Sequence, residues 1–284
     1  MKKEIRITEK LIKGFISYLK EQEKSQSTIS TYTRELFSLQ MFLDENCITK
    51  EKLLEYKTIL TQQYKPSSCN VSISAINSFL QYVGRIDLFI KPLKIQKQIF
   101  ENKDKMLTKR EYNKLIQTAK INGKEQLSLI IQTICATGIR VSELQYITVE
   151  AVKNGQAHIR CKGKNRVVFI PKSLCILLKK YVINQNITSG SVFVTRSGKQ
   201  IDRSNLWKAM KKLCTISGVK SSKVYPHNLR HLFARTYYSQ QKDLSRLADV
   251  LGHSNINTTR IYTRETGAVH ARQIEGLGLV RDTT

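Results

Sequence analysis

The 284-residue chain is long enough for two ordinary domains, each with its own core, and 40% hydrophobic with 25% charged residues is a folded, globular balance rather than a disordered one. Its net charge of +26, from 48 Lys and Arg against 22 Asp and Glu, goes well beyond what solubility needs and points to a polyanionic partner, nucleic acid first. No run approaches the roughly 18 apolar residues of a spanning helix, and acids interrupt the basic N-terminal "MKKEIRITEKLIKGF", so a membrane partner is not expected.

The charge is uneven. Residues 1–95 hold 15 basic and 10 acidic side chains and residues 96–284 hold 33 and 12, which puts +21 of the +26 in the second part. A lysine-rich surface set by an AT-rich coding sequence is the competing explanation. Six cysteines are scattered without a C-x-x-C pair, several inside apolar runs such as "LIIQTICATG", which reads as buried thiols in a reducing cytoplasm. His227 and His231 lie at i, i+4 with no Glu arranged as in H-E-x-x-H, so no metal site is expected.

In chain order, the first 95 residues repeat the three-four apolar spacing of amphipathic helices. Leu11, Ile12, Phe15, Ile16 and Leu19 make one helix, Ile29, Tyr32, Leu36, Leu39 and Leu43 the next, and Ile73, Ile76, Leu80 and Val83 a later one. Ser27 or Thr28 is the expected cap of the second helix and Thr49 of the third. The stretch "KPLKIQKQIFENKDK" then loses periodicity, contains Pro92 and carries five lysines, as a solvated connection would. The expected division is a helical domain over 1–95, a linker over 96–106 and a second domain over 107–284.

The second domain opens at "LTKREYNKL", where Thr108 and Glu111 form a capping box ahead of Leu115 and Ile116. "LSLIIQTICATG" is apolar enough for a central buried helix ending at Gly138, and "RVSEL" restarts a short one. "AHIRCKGKNRVVFIP" alternates around a turn-forming "KGKN", a β-hairpin with a basic tip. Helices follow at "SLCILLKKYV", from Ser204 with Trp207 and Met210, at "PHNLRHLFARTYY", "LSRLADVLG" and "INTTRIYT". The fold class is therefore mainly α with one small antiparallel sheet.

Four stretches stand out: "TGIRVSEL", "CKGKNRVVFIP", "PHNLRH" and "LGHSNINTTRIY". Each has an ordinary reading alone: a surface arginine, a solvated hairpin tip, the polar side of a helix, and a His favoured by the dipole at a helix C-terminus. Taken together, in this order, they resemble the tyrosine recombinase family, also called the phage integrase or Xer-like family. His253 follows Arg230 by 23 residues and Tyr262 follows His253 by nine, both within the family's range.

The resemblance covers nearly the whole chain. It implies an N-terminal helical, SAM-like core-binding domain and a C-terminal catalytic domain closing as a C-shaped clamp on double-stranded DNA. It implies that Arg140 and Arg230 hold the scissile phosphate, that His227 and His253 complete the pocket by hydrogen bonding and proton handling, and that Tyr262 is the nucleophile that becomes covalently attached to DNA. Lys162 would protonate the leaving 5′ oxygen, and Glu143 would brace the active-site arginine and histidines. Family hairpins often read K-G-x-K-x-R, whereas "KGKNR" is one residue shorter, so Lys164 competes for the lysine role. With the helical domain beginning almost at Met1, no additional arm-binding module is expected.

The residue types suit the chemistry. A phosphodiester repels nucleophiles, and its pentacovalent transition state carries more charge still, which planar guanidinium forks neutralise in a fixed geometry. A phenol of pKa about 10 must give up its proton during attack, and the leaving oxygen must receive one. Because the phosphoester energy is kept in a 3′-phosphotyrosyl link, rejoining needs neither ATP nor a metal, and no cofactor is expected. The family also implies a homotetramer on two sites built from paired inverted repeats, exchanging strands through a Holliday junction, with Val269, Ile274 and Leu277 of the tail as apolar contacts to a neighbour.

The expected task is site-specific recombination, in mobile-element integration, excision or cointegrate resolution or in chromosome-dimer resolution. Two alternatives are a type IB topoisomerase-like nicking-closing enzyme and a DNA-binding regulator with a decayed site. Binding to duplex DNA is expected to weaken steeply with salt, since each neutralised phosphate releases counterions. A plot of log affinity against log salt with a slope near zero would contradict that.

Overall fold

The computed structural model describes residues 5–95, 103–161, 164–195, 197–262 and 275–277. The chain divides into two compact units, Met1–Lys97 and Gln98–Thr284.

The first unit is a bundle of four helices, α1 (Glu9–Glu21), α2 (Gln26–Leu43), α3 (Lys50–Gln63) and α4 (Pro66–Tyr82), followed by a 3₁₀ turn at Ile86–Leu88. The apolar stripes read from the sequence meet in one core that includes Phe15, Leu19, Leu36, Leu39, Leu53, Ile76 and Phe79, with Phe15 and Phe79 edge to face at 5.5 Å. Thr49 caps α3 as expected. The cap of α2 is Ser25, two or three residues earlier than expected: its hydroxyl accepts from the Thr28 amide, and Ser27 and Thr28 lie inside the helix. Any of these hydroxyls can serve chemically, and the extended backbone at position 25 decides which one does. From α4, Asn77 pairs with the backbone of Ile90 and Asn70 with that of Leu93, which fastens the segment leaving the bundle along its side.

The second unit contains α5 (Lys109–Ile121), α6 (Glu125–Thr137), a 3₁₀ segment (Val141–Tyr146), α7 (Val149–Asn154), β1 (Gln156–Cys161), β2 (Lys164–Phe169), α8 (Lys172–Asn184), α9 (Arg203–Ser217), α10 (Pro226–Gln241), α11 (Leu244–Leu251), α12 (Ile256–Thr259) and a 3₁₀ turn at Arg260–Tyr262. The Thr108–Glu111 capping box is present at α5. Helix α6 is the central one: it buries residues around most of its circumference, and of its three buried hydroxyls those of Ser128 and Thr137 bond to the carbonyls of Ile116 and Thr133. The short helix expected at "RVSEL" is 3₁₀ rather than α. β1 and β2 form an antiparallel hairpin whose register pairs Cys161 with Lys164 and Arg160 with Asn165. Lys164 and Asn165, read as turn residues, therefore belong to the strand.

Helix α6 ends at Gly138, whose φ of +66° is the left-handed conformation of a C-cap. Glycine is required there for space as well, because a Cβ would stand 2.5 Å from Cδ1 of Phe233 on α10. This close approach of α6 and α10 sends the chain directly through buried Ile139 into Arg140. Gly138→Ala is expected to lower stability by about 1–3 kcal/mol through strain and overpacking, read as a drop in thermal midpoint of several degrees. An unchanged midpoint would show that Phe233 yields freely.

Candidate active site

The site is built on one buried arginine. Arg230 lies on the first turns of α10, behind Pro226 at the helix start, and is 1% exposed. Its Nη1 donates to the carbonyl of Gly138, and its Nη2 donates to the carbonyl of Leu251 at 2.7 Å. Nη2 also meets Nε2 of His253 at 3.0 Å. Both carbonyls sit at helix C-termini, of α6 and of α11, where the peptide dipoles concentrate negative potential. Burial and the nearby Arg140 lower the Arg230 pKa to about 10, opposed by Tyr262 and by Glu143. Its Nε–H is buried and has no hydrogen-bond partner among the described residues.

His253 follows the left-handed cap Gly252 that ends α11. A guanidinium only donates, so Nε2 of His253 accepts from Arg230, and Nδ1 carries the proton that meets Oγ1 of Thr259 at 2.9 Å. Tyr262 is 2% exposed, packed with Ala234, Leu247 and Leu251. The His253 ring stacks against it at 5.8 Å, and the His231 ring meets it edge-on at 4.5 Å.

Arg140 and His227 share a pocket of about 700 Å³ with Arg230, lined also by Arg203, Trp207 and Lys208 of α9. The Arg140 side chain is 39% exposed, and its Nη1 donates to Oε1 of Glu143 at 3.0 Å. Glu143 is buried, and the two arginines around it, with the Arg140 amide, hold its carboxyl below the usual range despite desolvation. Its second oxygen takes Arg166 of β2 at 2.7 Å. His227 is held below its ordinary pKa by burial and then by Arg230, Arg140 and Arg203.

Of the residues singled out in the sequence, Arg140, His227 and Arg230 line this pocket, Glu143 bonds Arg140, His253 meets Arg230, and Tyr262 stacks on His253. Lys162, Val269 and Ile274 fall outside the described residues, Lys164 is placed only as the first residue of β2, and Leu277 is exposed. Arg166 and Thr259 escaped the sequence reading, and His231 was weighed there only as a metal ligand. Arg166 had left a signal: it stands at an inward-facing position of β2, in step with buried Val168 and Ile170, where a charge needs a partner. His231 had one in its spacing to His227, and Thr259 had none.

A mainly helical scaffold that brings two arginines, two histidines and a tyrosine to a basic pocket is the arrangement of an enzyme acting on a phosphate diester. The phage integrase family model matches residues 105–268, and the N-terminal SAM-like domain of phage integrases matches residues 12–87. Tyrosine recombinase XerA of Pyrococcus horikoshii is 30% identical over 265 residues, covering 90% of this chain and 89% of its own. Among solved structures, XerH recombinase bound to a palindromic difH substrate after cleavage superposes with a TM-score of 0.72 at 21% identity, over 91% of this chain and 83% of that one. A lambda integrase tetramer bound to a Holliday junction superposes with 0.73 at 16%, over 92% and 78%. The chain belongs to the phage integrase family of tyrosine recombinases. Among the described residues no group of side chains could hold a metal ion, and no helix is long and apolar enough to cross a membrane.

His231 and His253 have their pKa values lowered to about 4, in both cases first by burial and then by neighbouring cationic or histidine groups. The unfolded chain takes up these protons near pH 6.5 and the folded protein only near 4, so the unfolded state binds more protons between those values. Their contribution to stability is complete above about pH 6.5 and is lost as pH falls toward 4. Thermal midpoints across this window should decline, and the decline should flatten in a His231→Gln, His253→Gln double variant. An equal decline in that variant would assign the acid sensitivity elsewhere.

Proposed function

We propose that Tyr262 attacks a DNA phosphate held by Arg140 and Arg230, and that the protein uses this step to recombine two duplex sites. The phenol oxygen forms a bond to phosphorus while the bond to the 5′ oxygen breaks, leaving a 3′-phosphotyrosyl link and a free 5′ hydroxyl. The phenolic proton passes to a histidine of the pocket. The 5′ oxygen receives its proton from the hairpin lysine, Lys162 by motif position or Lys164 beside it. Reversal of the same step with the partner's 5′ hydroxyl joins the new strand, with no net change in phosphoester bonds.

The observation that carries this reading is that one buried guanidinium, Arg230, holds His253, whose ring stacks on Tyr262, while opening on the pocket shared with Arg140 and His227. The neutral state of both histidines at neutral pH suits His253 to accept a proton or a hydrogen bond, and Glu143 braces Arg140. The core-binding domain is assigned to residues 1–95 and the catalytic domain to 107–284, joined by 96–106. Both contact the duplex, the more basic second domain supplying most of the phosphate contacts. Four copies assemble on two sites with inverted repeats, in the cytoplasm, and serve chromosome-dimer resolution or the movement of a mobile element. A two-site recombination assay beside single-site relaxation separates this activity from a topoisomerase's.

Duplexes enriched from a randomised pool by binding, then rebuilt with a nick beside each candidate phosphate, should trap a covalent protein–DNA complex. Tyr262→Phe should abolish it, and Arg230→Ala should reduce its rate about 100- to 1000-fold. A covalent complex that survives Tyr262→Phe, or none on any enriched duplex, would overturn the proposal.

A further inference from the structure

Arg166 lies near the site without reaching the pocket that holds His227 and Arg230, and its contacts give it a task of its own. Its Nη2 donates to Oε2 of Glu143 at 2.7 Å, and its Nη1 donates to the carbonyl of Val250 at 2.5 Å. The same Oε2 accepts the backbone N–H of Arg140 at 2.8 Å, while Oε1 accepts Nη1 of Arg140 at 3.0 Å. Glu143 is thus shared, and Arg140 meets it through one side-chain nitrogen only.

That sharing matters because an arginine facing a lone buried carboxylate prefers the bidentate fork, with two parallel hydrogen bonds. With Oε2 already saturated by Arg166 and the Arg140 amide, the fork cannot close. The remaining N–H groups of Arg140 stay available to an anion. The second anchor of Arg166, Val250, is the penultimate residue of α11, just ahead of the turn that carries His253. The stem of Arg166 crosses Gly252, where a Cβ would stand 2.5 Å from its Cδ and 2.9 Å from its Nε. Gly252 is therefore required twice, for its φ of +66° and for clearance under Arg166.

We infer that Arg166 is a positioning residue that keeps Arg140 from being captured by Glu143 and locks that pair to the His253 turn, with Gly252 as the space that makes the lock possible. This rests on the reading of Arg140 as a phosphate ligand. Since Arg166 acts through Arg140, its loss should matter only while Arg140 is present.

A double-mutant cycle on the rate of covalent complex formation tests this, using the enriched nicked duplex. Arg166→Ala alone should slow the wild-type reaction about 10- to 100-fold, within the range of a weakened oxyanion donor. In an Arg140→Ala background the same change should cost less than about threefold. Gly252→Ala should follow the same pattern, and it carries the comparison if Arg166→Ala does not fold as judged by its thermal midpoint. A merely structural role would slow both backgrounds by the same factor and overturn the inference, as would an unaffected Arg166→Ala or, where that variant does not fold, an unaffected Gly252→Ala. If the wild-type protein forms no covalent complex, the reading of Arg140 fails and takes the inference with it. If the wild type reacts and only the cycle disagrees, the inference alone fails.

Discussion

The burial of one guanidinium organises the catalytic unit. A charge taken out of water is expensive unless its partners replace the lost hydration, and Arg230 obtains them from the C-terminal carbonyls of two helices and from His253. Those carbonyls point at one place because α6 and α11 both end in left-handed glycines, Gly138 and Gly252, that halt the helices against α10 and β2. The arginine is consequently a structural keystone between three helices before it is anything else. Its fixed position is what allows Tyr262, His253 and Arg140 to be aimed with respect to it.

The electrostatics around that keystone are deliberately unbalanced. Burial and Arg140 lower the Arg230 pKa against Tyr262 and Glu143, and both arginines contribute to holding His227 and His253 below their ordinary pKa values. One carboxylate serves Arg140 and Arg166 together, so the ensemble carries an excess of positive charge in a partly dehydrated setting. An anion with several oxygens relieves this repulsion, and a phosphodiester brings such oxygens with the trigonal spread that planar guanidiniums match. The apolar bed of Leu247, Leu251 and Ala234 beneath Tyr262 keeps its ring in register with the two histidines that flank it.

Much of the scaffold was readable from local chemistry. The apolar stripes of α1, α2 and α4, the Thr108–Glu111 box, the Thr49 cap and the Gly138 stop all depend on interactions within a few residues, which a linear chain displays directly. The misplaced cap of α2 came from the same level, where three neighbouring hydroxyls compete and only the backbone angle chooses Ser25. The hairpin was visible as alternation, but the assignment of Lys164 and Asn165 to the strand depended on cross-strand register, which alternation alone leaves open.

The order and spacing of Arg140, His227, Arg230, His253 and Tyr262 were enough to define the class of chemistry, because reacting groups must have particular functional groups and those are written in the residue types. What the linear chain left undecided was the supporting cast. Thr259 meets Nδ1 of His253, His231 lies edge-on to Tyr262, and Arg166 divides Glu143 with Arg140. These partnerships join side chains on different elements, and their existence depends on how α10, α11, β2 and the 3₁₀ segment pack. Sequence determines which groups are present and which local structures they favour; only the folded chain, by closing long loops over a shared core, decides which of them come within bonding distance.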